Sequence, residues 1–173
     1  MTATTLGALT TALYGHSGPA LAGAANDGAT QSKEADTEDS PVPAIAAKWA
    51  SAWSGTDPNQ LAKLFTVDGV YTDLALGRVF RGPSEVAAWK SGTDQLIANV
   101  HVEVLDAFRG GDRVAIETVY SGQVRGAPRP FAVRGTTILI LNGDLISSNT
   151  DNYSLSTLLS QSGLPADWVP PGQ

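Results

Sequence analysis

ISSNTDNYSLSTLLSQSG, residues 146–163, changes periodicity partway along. Its first half alternates like a strand, and its second half groups apolar residues, LSTLL, as a short helix does, expected over Leu155–Ser162. Simple alternation puts Ser147, Asn149 and Asp151 on one face of the strand and Ile146, Ser148 and Thr150 on the other. Polar groups in a row on one strand face belong either to solvent or to the floor of a polar cavity. Immediately upstream, Asn142-Gly143 is the strongest short hairpin signal in the chain, so this strand pairs antiparallel with Phe131–Leu141.

Working backwards, Arg113–Gly122 and Asn99–Phe108 alternate in the same way and are joined by a Gly110-Gly111-Asp112 turn. Gln123–Pro130, with its two prolines, is a wider loop. Before these strands the period becomes helical. Ile45, Trp49, Ala52 and Trp53 mark one amphipathic helix. Asp57 and Pro58 open a second helix, with Leu61, Leu64 and Phe65 on its buried side. Val70–Leu76 reads as a strand, Gly77 turns the chain into a short extended piece at Phe80, and Pro83-Ser84 opens a third helix, EVAAWK. Helices first and antiparallel strands afterwards define an α+β fold, expected here as a curved antiparallel sheet closed by the N-terminal helices into a cone with one pocket.

The 173 residues allow one domain and ordinary tails. A net charge of −6 with no basic cluster excludes a nucleic-acid partner, and no apolar run is long enough to cross a membrane. Without cysteine there is no thiolate metal site or cysteine nucleophile, and two separated histidines, His16 and His101, make a histidine metal site or a Ser-His-Asp triad untenable. Catalysis in this chain rests on carboxylates, hydroxyls and amides, with no cofactor. Residues 1–43 read as an acidic, flexible leader. Ala20-Leu21-Ala22 has the form of a signal-peptidase site, yet no Lys or Arg precedes Lys33, so a cleaved signal and a plain leader both stay open, as do secreted and cytoplasmic locations. The domain is expected over 44–164, with a tail over 165–173.

The terminal segment resembles that of SnoaL-like proteins in the nuclear transport factor 2-like superfamily. The resemblance is carried by Ile146, Asp151, Tyr153, Leu155, Leu158, Leu159, Gln161 and Gly163, with Ser154 in place of a second aspartate. SAWSGTDPNQLAKLFTVDGVYTD and LGRVFRGPSEV are similar to the superfamily's opening elements and to its lead into the third helix. The resemblance implies the cone fold. It leaves the reaction open, because the fold hosts isomerases, cyclases, dehydratases, epoxide hydrolases and plain binders.

The resemblance also implies site residues. Asp73 falls where ketosteroid isomerase has its general base and limonene epoxide hydrolase a water-positioning asparagine, and Tyr71 matches a water-positioning tyrosine of the latter. Asp151 matches that hydrolase's acid/base aspartate. Other positions depart: Thr118 and Tyr120 replace the hydrolase's Arg and second Asp, while Lys48 and Thr137 stand where the isomerase has its oxyanion-hole pair. Neither mechanism transfers intact. What remains is an expected catalytic pair, Asp73 and Asp151, with Tyr71, Trp89, Thr118, Tyr120, Thr137 and Asn149 as substrate-binding neighbours. A strand-end aspartate capping the Gly77 turn is the plain structural alternative for Asp73. The expected partner is a small hydrophobic substrate or ligand, and the convex sheet face, with Ala115, Glu117 and Val119, is expected to make a homodimer.

Overall fold

Gly143 and Gly111, with φ of 63° and 65°, each supply the left-handed backbone that a tight antiparallel hairpin needs. The two-residue loops they open are Gly143-Asp144 and Gly111-Asp112, one residue further on than Asn142-Gly143 would suggest. These turns link β3 (Ile97–Gly110) to β4 (Arg113–Val124), and β5 (Phe131–Asn142) to β6 (Leu145–Tyr153). The computed structural model describes residues 41–169. The leader and its signal-like segment lie, but for its last three residues, outside that range.

Upstream come α1 (Ala44–Ser54), α2 (Pro58–Ala62), β1 (Phe65–Asp73), β2 (Arg78–Arg81) and α3 (Gly82–Leu96), and α4 (Leu155–Ser162) closes the described fold. The six strands form one sheet in the order β2-β1-β6-β5-β4-β3. Pairing is antiparallel except between β1 and β6, which run parallel. That single seam departs from an all-antiparallel sheet. Helix α3 and the β3–β5 meander intervene between the two strands, so β6 returns beside β1 in the same direction.

One face of the sheet is covered. Ile45, Trp49 and Trp53 of α1, Val86 of α3, and Leu158 and Leu159 of α4 join Val114, Ile116, Val133, Leu139 and Ile146 in one buried core. Helix α4 is capped at both ends: Ser154 Oγ accepts from Thr157 N at 3.2 Å, and Gly163 adopts φ 74°. The serine that replaces the family aspartate therefore keeps the capping role.

Strict alternation fails in β6. Leu141 pairs with Ile146 and Ile140 with Ser148, so Ser147 is an extra residue in the ladder, and its Oγ donates to Ile140 O at 3.0 Å. The bulge resets the phase. Ile146, Asn149 and Asp151 all face the core, and Ser147 does not share their face as plain alternation requires. β1 is irregular as well, between Phe65 and Val70, where Gly69 lets the strands approach closely. A Cβ at Gly69 would lie 2.9 Å from Ile146 O and 3.0 Å from Thr66 O. Gly69→Ala is expected to cost about 1–3 kcal/mol, read as a lower urea midpoint at unchanged slope. A midpoint equal to the parent's would show that the seam tolerates widening.

Candidate active site

The parallel seam sets the site. β1 carries Tyr71-Thr72-Asp73 and β6 carries Asp151-Asn152-Tyr153, and Asp73 is the direct register partner of Asp151. Neighbouring strands lie about 4.8 Å apart, so the two carboxylates stand side by side on the core face of the sheet. Each is held by the tyrosine of the other strand. Tyr71 Oη donates to Asp151 Oδ2, and Tyr153 Oη donates to Asp73 Oδ2 at 3.1 Å.

Asp151 Oδ1 accepts two further bonds, from Thr137 Oγ1 and Asn149 Nδ2, both at 2.8 Å. Asp73 Oδ1 accepts from Leu76 N at 2.8 Å. Asp73 is thus both the cap of the turn and a wall of the cavity. Neither carboxylate has an ion-pair partner among the described residues. Arg134 pairs instead with Glu117 on the outer face, at 3.3 Å.

Burial pushes the Asp151 carboxyl up to about 6, because its three hydrogen-bond donors only partly offset the loss of water; the neighbouring Asp73 charge adds to the rise. Asp73 is also raised, again mainly by burial, against the opposing pull of the Leu76 amide and Tyr153. Burial, with the neighbouring aspartate charges, holds Tyr71, Tyr120 and Tyr153 as neutral phenols.

Both carboxylates open onto a cavity of about 760 Å³ between the sheet and the helices. Of the expected site residues, Tyr71, Asp73, Trp89, Thr118, Tyr120, Thr137 and Asp151 line it. Asn149 lies fully buried beneath, reaching the cavity only through Asp151. Lys48 is exposed on α1 and takes no part. The aromatic wall is larger than expected. Trp53 packs at 5.9 Å from Tyr71, Tyr71 at 6.3 Å from Phe80, and Phe80 stacks on Trp89 at 4.6 Å. Trp49 and Trp53, expected as core, are both core and lining.

Sequence reasoning names Tyr153 only as part of the family resemblance and gives it no place in the site. Period-two alternation puts it on the face of Asp151, and that signal was enough to find it. Trp168 also lines the cavity, from the segment expected as tail.

A cone of helices on a curved six-stranded sheet, with a polar pair at its floor, is the nuclear transport factor 2-like fold. The chain belongs to the SnoaL-like domain family, whose model matches residues 46–149. A protein of ketosteroid isomerase-like fold from Catenulispora acidiphila, solved in complex with trimethylamine, is 51% identical over 75% of this chain and 99% of its own, with a TM-score of 0.74. A candidate SnoaL-like polyketide cyclase from Shewanella putrefaciens is 16% identical, covers 69% of this chain and 93% of its own, and superposes with a TM-score of 0.62. TsrD from Streptomyces laurentii is 20% identical over 70% of this chain and 93% of its own, at a TM-score of 0.61. At those identities the last two speak for the fold alone. No curated protein matches the sequence.

Proposed function

We propose that this protein is a cofactor-independent acid/base catalyst of the isomerase, cyclase, dehydratase or hydrolase type, acting on a small hydrophobic metabolite in the cone. The observation that carries this is the adjacent pair Asp73 and Asp151, both opening onto one largely apolar cavity and both raised by burial. An ionised member takes a proton from the substrate and a protonated member returns one at another atom; the pair then carries its proton on the other aspartate, and exchange with solvent protons restores the starting state. In this reading Thr118 and Tyr120 orient substrate oxygens, and Trp89 covers the apolar body. The complex of the 51%-identical relative with trimethylamine supports a small organic ligand for this chain.

Proton exchange tests the reading directly. In D2O, the protein should accelerate α-hydrogen exchange of small cyclic ketones, followed by NMR, with a bell-shaped pH dependence having one limb near pH 6. Ketones that bind but exchange no faster than in buffer would leave a non-catalytic binding pocket. One feature favours that second reading: four side-chain donors and a backbone amide already occupy the two carboxylates.

We also propose a homodimer through the convex sheet face. Phe108, Ala115 and Ile138 form a row across β3, β4 and β5, and Phe108 and Ile138 are exposed. An apolar row on an uncovered sheet favours a second copy. Light scattering at micromolar concentration should give twice the chain mass, and Phe108→Glu should return a monomer; a monomeric parent would end the idea.

A further inference from the structure

Two buried carboxylates stand side by side in the cavity, and among the described residues that line it no cation is buried. The basic side chains that line it, Arg78 and Arg125, are both exposed at the rim. Arg125 is spent on Gln95 O and Asp94 O, and Glu85, the other rim charge, accepts from Arg81 N. A buried negative charge is stable only with a proton or a positive partner. Around the pair stand the rings of Trp53, Tyr71, Phe80, Trp89, Tyr120 and Tyr153. Aromatic faces are negative, and several faces around one space attract an organic cation.

The hydrogen bonds narrow the cation further. A carboxylate offers about four acceptor sites, and Asp151 already accepts from Tyr71, Thr137 and Asn149. Asp73 already accepts from Leu76 N and Tyr153. A primary ammonium, which brings three N–H donors, would take up all of the roughly three acceptor sites that remain and would offer the aromatic wall no apolar group to contact. An alkylated ammonium needs negative charge and apolar contact but at most one acceptor, and this cavity offers that combination.

Resting on the reading of this cavity as the ligand site, we propose that its natural ligand carries a tertiary or quaternary ammonium group seated between the Asp73–Asp151 pair and the aromatic wall. The volume of about 760 Å³ leaves room for an apolar body beyond the head group.

Three soluble probes that share a hydroxyethyl arm test this by calorimetry at pH 7.5: choline, its neutral carbon isostere 3,3-dimethylbutan-1-ol, and ethanolamine, which keeps the charge but lacks the methyl groups. Choline should bind at least tenfold more tightly than either. Asp73→Asn/Asp151→Asn should abolish its advantage over the isostere, and the single variant Asp73→Asn should reduce it; both variants should unfold cooperatively in urea. Trp89→Ala should weaken choline more than the isostere. Equal or tighter binding of the isostere overturns the proposal, as does an advantage that survives the double variant, or no binding of choline at all. Those failures are separable from failure of the catalytic reading. Ketone exchange without ammonium preference removes the ligand class alone. Ammonium preference without exchange removes the catalysis and leaves an amine-binding protein.

Discussion

Asp151→Asn is expected to lower the proton-exchange rate by at least a hundredfold while changing the affinity for a neutral ketone by less than threefold. The amide keeps the shape of the carboxyl and can accept from Thr137, but it cannot exchange a proton, and positioned acid/base groups contribute about 10²–10⁴ in rate. Stability should move the opposite way. The native carboxyl titrates at about 6 against 3.8 for the free group, so between those values the folded protein binds more protons than the unfolded chain. The stabilisation is complete below the lower value and is lost as pH rises through the upper one, about 3 kcal/mol in all. Asp73, raised in the same direction, adds to this slope. Urea midpoints of the parent should therefore fall from pH 4 to pH 7, whereas Asp151→Asn should show a flatter profile and be the more stable protein at pH 7. A variant that keeps its exchange rate would remove Asp151 from the chemistry. A variant with the parent's pH slope would show that the native carboxyl is not desolvated.

Lys90 carries the second large effect. Its side chain is fully buried on α3. Its ammonium donates to Gly55 O at 2.7 Å and to both Asp94 oxygens at 2.6 Å, and it lies 5.8 Å over the Trp53 ring. It ties α3 to the turn after α1, and so sets the helical wall that carries Trp53 and Trp89. Lys90→Met should cost about 3 kcal/mol, the lower part of the range for breaking a buried pair, because Asp94 keeps some contact with water. Lys90→Met/Asp94→Leu should recover most of the loss, since apolar groups of similar volume replace such pairs at little cost. A single variant within 0.5 kcal/mol of the parent, a span on the order of an ordinary surface change, would show the pair to be idle.

Periodicity and turn residues were sufficient for most elements. Helix α4 spans the expected Leu155–Ser162, because a serine cap and a glycine stop bracket its apolar pair. α3 runs on to Leu96, well past EVAAWK, since Ser91-Gly92-Thr93-Asp94 reads as a stop until Thr93 and Lys90 are seen to be buried. β1 begins at Phe65 rather than Val70 because Val67, Asp68 and Gly69 look like a loop; Val67 is indeed exposed, while the backbone is already paired through Phe65. The parallel seam depends on which edge β1 joins, and local periodicity carries no such information. In the site, Asp73 and Asp151 were legible by resemblance and alternation. Their exchange of tyrosines was not, because it exists only once two distant strands lie in register. Lys90 was missed since a lysine at the end of an amphipathic helix ordinarily meets solvent.

The parallel seam also orders events in time. Each carboxylate takes its tyrosine from a strand 80 residues away in sequence, and the later of those strands is the last in the sheet. A nascent chain therefore carries Tyr71 and Asp73 without their partners on β6 while 80 residues are added. Contacts of such separation form late and slowly. A ribosome-bound chain ending before β6 holds α1, α2 and α3 but lacks α4, Asp151 and Tyr153, so neither reciprocal bond can form until the final strand leaves the tunnel.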